Sequence, residues 1–68
     1  MAIVKVIEVL AQSEKGWEEA TQEALKYAAK TVRDIKAIYI KEFQADVKNN
    51  KITNYRVNAK ISFMVEDD

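Results

Sequence analysis

Cysteine, histidine and proline are absent from this 68-residue sequence, and glycine occurs once, at Gly16. Without cysteine there is no disulfide and no thiolate metal site. Without histidine the chain lacks the commonest metal ligand and the usual acid–base group near neutral pH. Ser13 and Ser62 therefore have no histidine partner for a triad, and no glycine-rich phosphate loop exists. Pairs of carboxylates carry no selectivity of their own in a chain with 11 Asp and Glu. These gaps predict a non-enzymatic protein with no catalytic residue and no metal site. An excess of charge is missing too: Lys and Arg also number 11, so nothing marks the chain for a nucleic-acid backbone. No run approaches the roughly 20 apolar residues of a membrane span. Met1-Ala2-Ile3-Val4-Lys5 lacks the long apolar stretch of a signal peptide. The expectation is a cytoplasmic protein with neither nucleic-acid nor membrane partners.

What is present is one domain, residues 1–68, with no linker, repeat or low-complexity tract. Hydrophobic residues make up 49% of the chain, too many for disorder. Ile3–Leu10 (IVKVIEVL) is rich in β-branched residues and predicts a first strand with imperfect alternation. The polar stretch Ala11–Lys15 turns the chain. Gly16 stands at the N-cap position three residues before Glu19, without a side-chain oxygen to contribute, so Ser13 is the residue available to assist.

From Trp17 to about Asp34 an amphipathic helix is expected. Trp17, Ala20, Ala24, Ala28, Thr31 and Ile35 recur at three- and four-residue steps, widened by Thr21, Leu25 and Val32. Glu18, Glu19 and Glu23 suit its positive end, and Lys30 and Arg33 its negative end. A stripe made mostly of alanine lets such a helix lie close against a sheet.

Ile35–Val47 (IKAIYIKEFQADV) predicts a second strand through its Ile, Tyr and Phe content. Simple alternation groups Ile35, Ala37, Tyr39, Lys41, Phe43, Ala45 and Val47 on one face. Lys48-Asn49-Asn50-Lys51 is a hairpin turn, because Asn tolerates the left-handed conformation. In Ile52–Val65 the row Tyr55, Val57, Ala59, Ile61, Phe63 and Val65 alternates with Asn54, Arg56, Asn58, Lys60, Ser62 and Met64. Glu66-Asp67-Asp68 forms a solvated acidic tail, a poor match to the shaped loops that hold Ca²⁺. The fold class is α+β, a β-α-β-β chain whose antiparallel sheet has strand order 1-3-2 with the helix on one face.

Such a monomer is incomplete. A helix of about 18 residues is roughly 27 Å long, whereas strands of about 13 residues reach roughly 43 Å. Phe43, Ala45, Val47 and Ile52 then lie where the helix cannot cover them, and strand edges keep unpaired amides. Domains this small need a staple, and with disulfides and metals excluded the remaining one is other copies of the chain.

Several segments in order resemble the dodecin family: Lys5-Val6-Ile7-Glu8 its opening strand, Ser13 and Trp17-Glu18-Glu19-Ala20 its turn and helix start, Lys30-Thr31-Val32-Arg33-Asp34 its helix end, and Tyr55–Phe63 (YRVNAKISF) its last strand. The set covers nearly the whole chain and is specific only as a set. The resemblance implies a hollow homododecamer built from trimers, with a sheet partly wrapped around one helix. It implies a storage or buffering role for riboflavin or FMN bound in pairs near threefold axes, with coenzyme A as a further ligand of some members.

The flavin-position equivalents are Ala37, Tyr39, Gln44 and Arg56. A tryptophan stacks on the flavin where Ala37 stands, and a glutamine contacts the ring's polar edge where Arg56 stands. Gln44 and Met64 occupy positions that are basic in some members. Ala removes the stacking term, worth about 0.5–1.5 kcal/mol beyond area burial, and Arg donates where Gln both donates and accepts. Tyr39, two residues on, offers a substitute platform. Arg56, Lys60 and Lys36 suit a phosphate-bearing ligand or ion pairs between copies. Trp17, Tyr27 and Tyr55 are read as packing residues. The alternatives are a structural or ion-binding assembly of the same shape that takes no flavin, and a monomeric adaptor adding its hairpin to a partner's sheet.

Overall fold

Strand β1 (Ile3–Ser13), helix α1 (Trp17–Ala28), strand β2 (Ile35–Lys48) and strand β3 (Lys51–Glu66) follow one another in a computed structural model that describes residues 3–66. The acidic tail Glu66-Asp67-Asp68 lies outside those residues apart from the backbone of Glu66. β3 is central, with β1 and β2 both antiparallel to it, so the order is the expected 1-3-2.

β1 is three residues longer than its apolar run. Ala11, Gln12 and Ser13 pair with Val57, Arg56 and Tyr55, because β3 is long enough to offer them partners. The turn shrinks to Glu14–Gly16. Gly16 caps the helix with extended backbone (φ 163°) and no side-chain bond. The Ser13 hydroxyl donates to the Glu19 carboxylate and accepts the Lys15 N–H at 2.9 Å, which is the assistance that a glycine cap leaves open.

The helix is the main correction. It ends at Ala28, not near Asp34. The Lys30 and Thr31 amides bond to carbonyls three residues back, on Tyr27 and Ala28, which tightens the last turn. Asp34 then takes a left-handed conformation (φ 60°), and its carbonyl accepts the Met64 N–H at 3.1 Å, fixing the chain's exit onto β3. Thr31, Val32 and Ile35 thus keep helical spacing outside the helix.

Ala20, Ala24 and Ala28 are fully buried against a sheet row in which Val57, Ala59 and Ile61 are equally buried. Methyl groups on the helix allow close approach, and these six side chains are the buried core among the described residues. The helix packs on β1 and β3. At 12 residues it is about 18 Å long, against a molecule whose longest extent is 54 Å. The overshoot is therefore larger than the sequence suggests: Phe43, Val47 and Ile52 are 60%, 65% and 50% exposed.

β2 departs from simple alternation. Register shifts fall between Ile35 and Ala37 and between Ile40 and Glu42, leaving Lys36 and Lys41 as extra residues, that is, β-bulges. The helix-side row becomes Ile35, Ile38, Ile40, Phe43 and Ala45, opposite Phe63, Ile61, Ala59, Val57 and Tyr55. At the hairpin end Asn49 and Asn50 have φ of 55° and 63°, as a two-residue type I′ turn requires. Asn50→Ala should lower stability by about 1–2 kcal/mol through the left-handed penalty, whereas Asn50→Gly should not. Urea midpoints of the two variants, at one chain concentration, check this.

Candidate functional site

The four site residues expected from sequence share one face of the sheet, the one turned away from the helix. Ala37 pairs with Ser62, Tyr39 with Lys60 and Gln44 with Arg56, all members of β3's polar row. The bulge at Lys41 makes this possible. Ala37 and Tyr39 are odd-numbered and Gln44 is even, so an unbroken strand would put them on opposite faces. The extra residue shifts the phase by one and brings Gln44 round.

Each side chain has a distinct state. Tyr39 is 64% exposed, and its ring stacks on no other among the described residues. Ala37 is exposed on this face; the open cleft it also borders at the β2 edge, with Leu25, Ile35, Lys36 and Ile38, lies toward the helix side. Ser62 donates to the Ala37 carbonyl at 3.4 Å. Arg56 is tied down: Nη2 donates to Asp46 Oδ2 at 2.8 Å, and Nε donates to Gln12 Oε1 at 3.3 Å. The guanidinium thus spans all three strands, with its charge met within its own chain. An exposed pair of this kind adds at most about 1 kcal/mol, but it fixes where the side chain lies. Lys36 is likewise paired with Asp34 at 2.9 Å, and Lys41 reaches Glu8 at 3.8 Å. Lys60 is in no ion pair among the described residues.

Trp17 does the packing expected of it and one thing more. Its ring meets Phe43 and Tyr55 edge-on, with centroids 5.9 and 4.9 Å apart. Its Nε1–H donates to the Gln44 carbonyl at 2.8 Å, tying the helix start to the backbone of a candidate site residue. Sequence reasoning missed this bond, and it missed Gln12 and Asp46 as partners of Arg56. Gln12 falls in the stretch read as a turn, and a pairing across ten residues leaves no local pattern.

A more spacious hollow lies elsewhere, an open groove along Lys15, Gly16, Trp17, Glu19 and Glu23 at the helix start. Its walls are mainly one exposed helix turn, and no convergent polar group is buried in it, so it is a weaker candidate than the sheet face. Among the described residues no group of three Asp or Glu side chains is placed to hold a metal ion. No helix of the described residues is long and apolar enough to cross a membrane.

With this geometry in place, comparison with known proteins is direct. The sequence model of the family described as Dodecin matches residues 3–66. The chain is 32% identical over 63 residues to the calcium dodecin of Mycobacterium tuberculosis, covering 93% of this chain and 89% of that protein. It is 31% identical over 65 residues to the dodecin of Thermus thermophilus, covering 96% and 94%. The crystal structure of an arginine-to-alanine variant of the T. thermophilus dodecin superposes with a TM-score of 0.92 at 30% identity, over 98% of this chain and all of that one.

Proposed function

This chain belongs to the dodecin family, and from that premise we propose that it assembles into a shell of identical copies and binds a small aromatic ligand, flavin first, in a non-catalytic storage role in the cytoplasm. The observation that carries the ligand proposal is the convergence of Ala37, Tyr39, Gln44 and Arg56 on one solvent-facing side of the sheet. The residues fit a flavin ring in a particular way. Tyr39 supplies an exposed aromatic surface, Ala37 on the same face carries only a methyl group, and the Gln44 amide can both donate and accept at a polar edge. Arg56, held by Asp46 and Gln12, borders the site as a fixed donor. A bound flavin brings a photoreactive, redox-active ring. The protein's part is to cover that ring and keep solvent from it.

Self-assembly is supported by the exposed apolar overshoot of the hairpin and by the small buried core. A dodecamer is the form the family resemblance implies. Coenzyme A is a second candidate ligand on the same ground.

Titration of riboflavin into purified protein tests the ligand reading. Stacking should quench flavin fluorescence with a saturable stoichiometry at micromolar protein. An unquenched, linear signal removes flavin as the ligand.

The second reading, an assembly that takes no flavin, is favoured by Arg56 being already engaged and by the methyl group at Ala37. The name of the M. tuberculosis relative suggests a cation in that case. Its ligands would come from several copies, since Ca²⁺ wants six to eight oxygens and no acidic cluster exists among the described residues of one chain.

A further inference from the structure

The far end of the hairpin carries an apolar pair and then a cationic one. Val47 pairs with Ile52, and Lys48 pairs with Lys51 beside the Asn49-Asn50 turn. Two ammonium groups directly across a hairpin repel one another, and neither lysine is in an ion pair among the described residues. A solitary chain gains nothing from that arrangement. We infer that the tip of one copy docks into the open groove at the helix start of a second copy, with Val47 and Ile52 against Trp17 and with Lys48 and Lys51 against Glu18 and Glu23; this rests on the reading of the protein as an assembly of identical chains.

The groove supplies the opposite of what the tip carries. Trp17, Glu18, Gln22 and Glu23 line it along the first turns of the helix. Glu19 is committed to Ser13 and Lys15, whereas Glu18 and Glu23 are exposed and in no ion pair among the described residues. The Trp17 ring is held edge-on by Phe43 and Tyr55 and is still 36% exposed, which makes it a fixed apolar floor. Adjacent pairs point to opposite faces of the hairpin, and the long lysine stems bring their charges round to the groove's rim.

Charge and area decide between this contact and its rivals. Packing tip on tip covers Val47 and Ile52 but gathers four ammonium groups. Seating the basic helix end (Lys26, Lys30 and Arg33) in the groove meets the glutamates but leaves Val47 and Ile52 bare. The chain exposes 5224 Å², where a compact monomer of 7.8 kDa exposes about 4400 Å². The excess, roughly 800 Å², is one partner's share of a standard interface.

The test reverses the charges on each side of the contact and then on both. Lys48→Glu with Lys51→Glu, or Glu18→Lys with Glu23→Lys, should raise the chain concentration at which the assembly half dissociates by about tenfold or more at low salt. Light scattering and native mass spectrometry read that midpoint, with enough urea present to bring the parent's into range. All four substitutions in one chain should return it to within about threefold of the parent's, because the coupled pairs are restored with their signs exchanged. Lys26→Glu with Lys30→Glu reverses as much charge at the other end of the helix and should leave it unchanged. In the parent, a carbodiimide, which joins a carboxylate to an amine only where they touch, should link Lys48 or Lys51 of an isotope-labelled chain to Glu18 or Glu23 of an unlabelled one. A tip reversal that leaves the midpoint unmoved, or that the groove reversal does not restore, overturns the inference while assembly stands. Links found only within a chain do the same. A parent that stays a single chain at every concentration removes both the inference and the assembly.

Discussion

The double variant Val47→Lys, Ile52→Glu is expected to run as a single chain near 7.8 kDa instead of as a multimer. Val47 and Ile52 are paired at the far end of the hairpin, 65% and 50% exposed in the isolated chain. Neither is part of the buried core, so in a solitary protein their replacement would change stability by no more than about 0.5 kcal/mol. Opposite charges directly across the strands support the hairpin itself, so the exchange leaves the local fold intact and places two charges where a neighbouring copy would bury apolar surface. Taking that charge pair out of water disfavours such a contact by several kcal/mol. Loss of the partner also removes the mass-action part of the stability, so the melting temperature should fall and cease to depend on protein concentration. Light scattering with native mass spectrometry decides the matter. A variant that keeps the parent's mass shows that the tip is a solvated extension and that assembly uses another surface.

Trp17→Ala should cost about 3 kcal/mol at fixed protein concentration, at the low end of the range for a large aromatic because the ring is 36% exposed. The substitution removes the edge contacts with Phe43 and Tyr55 and the bond to the Gln44 carbonyl. For a domain of this size each kcal/mol corresponds to roughly 4–8 °C of melting temperature, so the transition moves well beyond measurement error. Trp17→Phe keeps most of the ring and loses the N–H, and should cost about 1 kcal/mol. Gln44 faces Arg56 on the side of the sheet proposed to take the ligand, so on that proposal loosening its backbone should also weaken ligand binding, more in the Ala variant than in the Phe variant. A Trp17→Ala protein that melts within about 2 °C of the parent would mean that β2 is held in place without the helix start.

How much of this was legible depended on whether the cause was local. The central strand announced itself, because Tyr55, Val57, Ala59, Ile61 and Phe63 alternate without a break and the whole stretch pairs on both sides. The Asn49-Asn50 turn was visible for the same reason: two residues that tolerate positive φ stand between two strand-forming runs. The end of the helix was not. Thr31 and Val32 continue its spacing, and the reversal depends on Asp34 and on a bond from Met64, far along the chain. The last residues of β1 were hidden because Ala11, Gln12 and Ser13 are strand only by virtue of the partners β3 offers.

The site was half legible. The resemblance named Ala37, Tyr39, Gln44 and Arg56, but alternation alone would have set Gln44 apart from Ala37 and Tyr39. A bulge such as that at Lys41 changes no residue type that periodicity can detect. The commitment of Arg56 to Asp46 and Gln12 rests on pairings across three strands.

The strand synthesised last of the three lies in the middle of the sheet. β1 and β2 share no edge, and the alanine face of the helix has no Val57, Ala59 or Ile61 to rest on until β3 arrives. While the ribosome is still making the first fifty residues, the nascent polypeptide has no stable partial structure to settle into. Folding must come as one late event in which both flanking strands zip onto the newcomer together, and that leaves chaperones only a short interval in which bare strand edges are exposed near release.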